Sequence, residues 1–143
     1  MDQDRKPRVL IVDDSRTQRL MEEKILTDLG CVVEAAEDGL SGLKAVMQEG
    51  GFDLILLDLG MPKMNGHDFL REIKKNPDTA EMKILVLSGK DEEEVIQSIK
   101  EGADEYWLKG SSPFMLKHKI RSLLRVSALE GKLQRIQSLL GNG

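Results

Sequence analysis

Three short, unbroken apolar runs mark the first two-thirds of the chain: Val9-Leu-Ile-Val12, Leu54-Ile-Leu-Leu57 and Ile84-Leu-Val-Leu87. Runs of this length without polar alternation are how strands buried on both faces read. Between them apolar residues recur at helical spacing, which predicts repeated strand-helix units and a parallel sheet covered by helices. The order reads strand then helix, five times over.

The first strand is expected at about Val9 to Val12. Ser15 is placed to cap a helix through about Leu29, in which Met21, Ile25 and Leu29 recur every four residues, and Gly30 ends it. Cys31 to Ala35 reads as the second strand, followed by an Asp38-Gly39 turn and a helix near Leu40 to Gln48 with Leu43, Val46 and Met47 inward. The third strand, Phe52 to Asp58, leads through the loop 59–66 into a helix from about His67 to Lys75, broken by Asn76-Pro77. The fourth strand is Lys83 to Ser88, and Asp91-Glu-Glu-Glu94 puts acids in the first turn of the next helix, where its dipole favours them. A short strand, Glu105 to Leu108, precedes a final helix from about Ser112. There Val126, Leu129, Leu133, Ile136 and Leu140 step by 3, 4, 3 and 4, an a/d pattern over roughly two heptads. Gly131 interrupts it at up to about 1 kcal/mol relative to alanine and marks a place to bend or fray.

The residues that end these strands carry the chemistry. Asp13 and Asp14 follow the first run, Asp58 ends the third strand, Ser88 the fourth, and Lys109 follows the fifth. In an open parallel sheet such residues converge beyond the carboxyl ends of the strands, where the strand order reverses. Three carboxylates gathered there repel one another unless a cation joins them. Mg²⁺ suits them, because it takes oxygen ligands and is typically held by one or two carboxylates with phosphate oxygens. Ser88 and Lys109 would face an oxyanion at the same spot. An aspartate can also attack phosphorus to form an acyl phosphate, and Asp58 is the candidate nucleophile.

Composition narrows the partners. The 143 residues suffice for one well-buried domain plus an appendage. A net charge of -4 offers no basic field, so direct binding to nucleic acid or membrane by this segment is not expected. No stretch nears the roughly 18 apolar residues of a membrane span, and the polar start Met1 to Pro7 lacks a signal-peptide core. The lone Cys31 cannot form an internal disulfide and reads as a small buried residue, which fits a soluble cytoplasmic protein.

Taken together, Asp13-Asp14, Asp58-Leu-Gly-Met-Pro62 with Gly66, Ser88-Gly89 and Lys109 resemble the response-regulator receiver domain of two-component phosphorelays, from about Arg8 to Leu124. Tyr106 stands where that family has its switch aromatic. The resemblance implies a flavodoxin-like, doubly wound α/β fold with a five-stranded parallel sheet in the order 2-1-3-4-5. It implies Mg²⁺ held by Asp13, Asp14, Asp58 and the carbonyl of Gly60, and phosphorylation of Asp58 by a sensor histidine kinase, a phosphotransfer protein or a small phosphodonor. Ser88 and Lys109 would grip the phosphoryl group, and Ser88 with Tyr106 would switch the face of helix four, strand five and helix five. The chain then divides into a flexible N-terminus (1–7), a receiver (8–124) and a helical extension (125–143) that pairs with a second copy or links to an output domain.

Departures and rivals remain. Gly110 follows Lys109 where the family usually has proline, so the path of the loop Lys109 to Pro113 is open. Gly60 leaves water access to Asp58, and Lys90 could bring positive charge to it. A phosphorylation-independent interaction module is one rival. A Mg²⁺-dependent aspartyl-phosphate phosphotransferase is another, although Gly60 stands where it would need a second acid. Tyr106 and Trp107 could also be static packing residues. His67 and His118 lack metal-ligand spacing and read as surface residues, and Glu92 to Glu94 as a solvated helix start.

Overall fold

A computed structural model describes residues 5–61, 63–89 and 92–141. The expectations for Pro62, Lys90 and Asp91 therefore lie outside the described residues. Five strands alternate with five helices: β1 (Arg8–Val12), α1 (Arg16–Asp28), β2 (Val32–Ala36), α2 (Gly39–Glu49), β3 (Leu54–Asp58), α3 (Gly66–Lys75), β4 (Lys83–Ser88), α4 (Glu92–Lys100), β5 (Glu105–Leu108) and α5 (Pro113–Gly141). All strand pairs are parallel, in the order β2-β1-β3-β4-β5. This is the doubly wound, flavodoxin-like α/β fold expected from the sequence.

Alternation along the strands divides the core in two. Leu10, Val12, Ile55, Leu57, Ile84 and Val86 face Val46 of α2 and Phe69, Leu70 and Ile73 of α3. Val9, Ile11, Leu54, Leu56, Leu85, Leu87 and Trp107 face Leu26 of α1 and Leu116 and Ile120 of α5. Each fully buried side chain of this size contributes roughly 1.5–3 kcal/mol by leaving water. The parity explains the fate of the two aromatics of β5. Trp107 is sealed in the core, its indole N–H donating to the Ser112 carbonyl at 3.0 Å, whereas Tyr106 lies on the solvent side.

Side-chain caps set the helix starts: Ser15 caps α1 as expected, while Asp38 and Asn65 start α2 and α3 one residue before the position periodicity gave. Ser15 accepts from the Gln18 N–H at 3.3 Å, Asp38 from Ser41 at 2.8 Å and Asn65 from Asp68 at 2.9 Å. At the other end of the sheet, Arg5 pairs with Asp53 at 2.9 Å and the Pro7 carbonyl accepts from Val32 at 2.8 Å.

Two expectations need correction. His67 is not a free surface residue: it is half-buried at the start of α3, with Nδ1 2.6 Å from Glu101 beyond α4, a carboxylate that also pairs with Arg71. His118 is exposed, as expected. Nor does α5 break at Gly131. It continues to Gly141, flanked by strong helix formers and tied to the body by Lys83–Glu130 at 2.8 Å and Gln134–Glu81 at 2.5 Å. Cys31 is half-buried, and burial pushes its thiol pKa up.

Candidate functional site

Strand register assembles the crevice at the carboxyl edge of the sheet. Val12 lies opposite Leu57, so Asp13 comes level with Asp58 on the neighbouring strand. Asp58 is opposite Leu87 and Ser88 opposite Leu108, which sets Ser88 and Lys109 each one step further out. The order reverses here: β1 is flanked by β2 on one side and β3 on the other.

Carboxylate oxygens of Asp13, Asp14 and Asp58 all lie within 4.8 Å of one another. Asp13 and Asp58 are buried, while Asp14 is exposed and opens the cluster to solvent. Lys109 donates from Nζ to Asp58 Oδ1 at 3.0 Å, and the same oxygen accepts the Gly60 N–H at 3.1 Å. Asp13 Oδ1 accepts the Ser15 N–H at 2.9 Å, but Asp13 Oδ2 is buried with no hydrogen-bond donor. Such a set of oxygens, short of donors and crowded with negative charge, fits a hard divalent cation such as Mg²⁺.

The crowding appears in the protonation equilibria. Burial raises the Asp13 pKa, with the Asp58 charge adding to it, against the Ser15 N–H and Lys109. Asp14 is also raised, by desolvation and by Asp58. For Lys109, burial works against the charge, but the hydrogen bond and charge of Asp58, backed by Asp13 and Glu22, lift its pKa above the ordinary lysine value.

Two further candidates hold partners outside the carboxylate cluster. Ser88 is buried at the end of β4 and donates from Oγ to Glu94 in the first turn of α4 at 3.1 Å. Tyr106 lies along the edge strand rather than at the strand ends, with the Lys119 ammonium of α5 4.6 Å from its ring centroid. Gly60 is exposed, and a Cβ there would meet nothing within 4 Å. Gly66 is the opposite case: a Cβ would fall 2.5 Å from Leu59 Cα and 2.6 Å from the Asp58 carbonyl, so only glycine lets α3 begin this close to Asp58. Gly110 has φ +88°, a conformation closed to proline, and no peptide bond among the described residues is cis. The loop after Lys109 thus takes a path that its glycine permits.

One residue of this neighbourhood was not anticipated. Glu22 of α1 is fully buried beside Asp13, and burial, then Asp13, push its pKa up to about 10. The available signal was its position four residues before Leu26, on the inward side of α1.

Residues 9–121 match the family described as "Response regulator receiver domain". The chain is 31% identical over 115 residues to the chemotaxis protein CheY-3 of Vibrio cholerae, covering 79% of this chain and 88% of that protein. It is 36% identical over 125 residues to a probable transcriptional regulator, ycf27, of Guillardia theta, covering 87% of this chain but 48% of that protein, so it spans about half the length of such relatives. A CheY-like receiver domain from Methanospirillum hungatei superposes with a TM-score of 0.79 at 31% identity, covering 88% of this chain and 99% of that one. The chain belongs to the response-regulator receiver family of two-component signalling.

Proposed function

We propose that this receiver accepts a phosphoryl group on Asp58 from a sensor histidine kinase or phosphotransfer protein, with Mg²⁺ held by Asp13, Asp14, Asp58 and the carbonyl of Gly60. The observation that carries this reading is the 3.0 Å contact of Lys109 Nζ with Asp58 inside a three-carboxylate cluster. An Asp58 carboxylate oxygen attacks phosphorus, the bond from phosphorus to the donor breaks, and the leaving group takes a proton. Bound Mg²⁺ supplies charge neutralisation for this transfer. Lys109 is then free to exchange the carboxylate for a phosphoryl oxygen. Ser88 does likewise, releasing Glu94 and with it the first turn of α4.

The rival enzyme reading loses support from the short strand-end loops and the glycine at position 60. The phosphorylation-independent module is separated from ours by experiment. Intact mass after incubation with acetyl phosphate and Mg²⁺ is expected to show a single base-labile phosphoryl adduct, absent from Asp58→Asn and from the metal-free control. An unmodified wild-type chain would count against the reading.

Residues 8–124 are read as the receiver and 125–143 as the extension that carries its output, serving a cytoplasmic pathway. Among the described residues no helix is long and apolar enough to cross a membrane. A second copy is the occupant best suited to the extension. Val126, Leu129, Leu133, Ile136 and Leu140 are all exposed and recur at a/d spacing, the seam that a parallel pair of such helices would bury. A downstream output domain is compatible with the same helix.

A further inference from the structure

Asp13 and Asp14 are joined by a peptide whose carbonyl, that of Asp13, lies just past the end of β1 in a residue with no exposed surface. A buried carbonyl beyond the end of its strand needs a donor from elsewhere. Arg19 supplies it, donating from Nη1 at 2.8 Å. Arg19 lies in the first turn of α1, and helical side chains lean toward the N-terminus of their helix, which carries the guanidinium back over the helix start to the end of β1. Two more bonds close on the same residue: the Asp13 N–H donates to the Ala36 carbonyl at 3.0 Å, and Asp13 Oδ1 accepts the Ser15 N–H at 2.9 Å. Asp14 follows directly and is exposed, so its carboxylate takes its place beside Asp13 and Asp58 from the main chain that carries it.

We infer that Arg19 is a positioning residue of the metal site, whose guanidinium holds the Asp13–Asp14 peptide so that both carboxylates face the cation shared with Asp58. This rests on the metal-dependent reading above and adds to it a residue outside the ligand set. Charge and geometry here predict opposite signs. A fixed positive charge repels a divalent cation, so on charge alone the loss of Arg19 would tighten Mg²⁺ binding. Loss of a contact that orients the ligands weakens it, and such partners typically change metal affinity by about 10–100-fold.

The test uses the whole chain, with Mg²⁺ affinity from calorimetric titration, Mn²⁺ affinity from electron paramagnetic resonance, and circular dichroism with urea unfolding to follow the fold. Arg19→Met keeps the apolar stem without charge or donor and is expected to bind Mg²⁺ about tenfold more weakly. Arg19→Lys returns a single donor to a carbonyl that takes only one, and is expected to stay within about threefold of wild type. Should Arg19→Met be unfolded, Arg19→Gln is read in its place, because its amide is two bonds shorter and falls short of the carbonyl. Binding equal to or tighter than wild type in the folded Met or Gln variant would overturn the inference, even with a lowered urea midpoint, since Arg19 would then serve the fold alone. An equal loss in Arg19→Lys would also overturn it, because a donor at that carbonyl would not be what matters. Asp14→Asn calibrates the loss of a direct ligand. Absence of Mg²⁺ binding by the wild-type chain would overturn the metal site and this role together, whereas wild-type binding that survives Arg19→Met unchanged overturns the role alone.

Discussion

A carboxyl group whose pKa is about 4.5 in the unfolded chain and about 10 in the folded one takes up a proton on folding throughout the neutral range. The sign is fixed by linkage: the folded pKa is raised, so Glu22 is harmless below pH 4.5 and costs more stability as pH rises toward 10. At pH 7 the cost is on the order of 3 kcal/mol, at about 1.4 kcal/mol for each unit between 4.5 and 7. Metal-free Glu22→Gln is therefore expected to be about 3 kcal/mol more stable than wild type at pH 7 in urea unfolding, with a smaller difference at pH 5 and a larger one at pH 9. A pH-independent difference would show that Glu22 is not held neutral. Asp13, Asp14, Asp58, Ser88 and Lys109 could be picked out in the sequence because each closes an apolar strand. Glu22 could not, because a glutamate in a helix is ordinarily solvated and only the packing of α1 against β1 shows which side it faces. Gly110 was legible as a departure, but its positive φ, which explains the departure, is a property of the folded loop.

At the scale of elements, β4 and β5 were readable to the residue, because their apolar runs end in groups with evident chemistry. Helix starts moved by a residue where Asp38 and Asn65 supply the cap that periodicity does not register. The last helix joins two different surfaces. Leu116 and Ile120 are fully buried against the sheet, whereas Leu129, Leu133 and Ile136 are each more than half exposed. Replacing Leu129 and Leu133 together by lysine therefore removes little from the fold, and the change in stability is expected to stay within about 0.5 kcal/mol. The same double substitution is expected to leave acetyl-phosphate labelling of Asp58 intact while converting any dimer of the phosphorylated protein to monomer in sedimentation equilibrium. Wild-type chain that stays monomeric with and without phosphorylation would remove the case for pairing through this helix.

For the molecule as a whole, folding gathers acids that the unfolded chain keeps apart, a repulsion that a bound cation would relieve. Mg²⁺ at about 100 times its dissociation constant should add about 2.7 kcal/mol to the unfolding free energy, through binding to the folded state alone. Asp13→Asn is expected to abolish most of this increment while raising the stability of the metal-free protein, readable as thermal midpoints with Mg²⁺ and with chelator. An unchanged Mg²⁺ increment in that variant would place the ion elsewhere. The alternation of strands and helices and the strand-end residues were available from the sequence because both are written in local runs and the residues that end them, whereas the strand order followed from the family resemblance. The proposed link from site to output was not available, because it depends on Ser88 reaching Glu94 and on α5 running unbroken through Gly131. That continuity makes α5 a lever. From its last fully buried residue, Ile120, to Gly141 it extends about 30 Å, so a tilt of about 10° at the sheet, with release of the Glu130–Lys83 and Gln134–Glu81 contacts, would sweep its far end through about 5 Å.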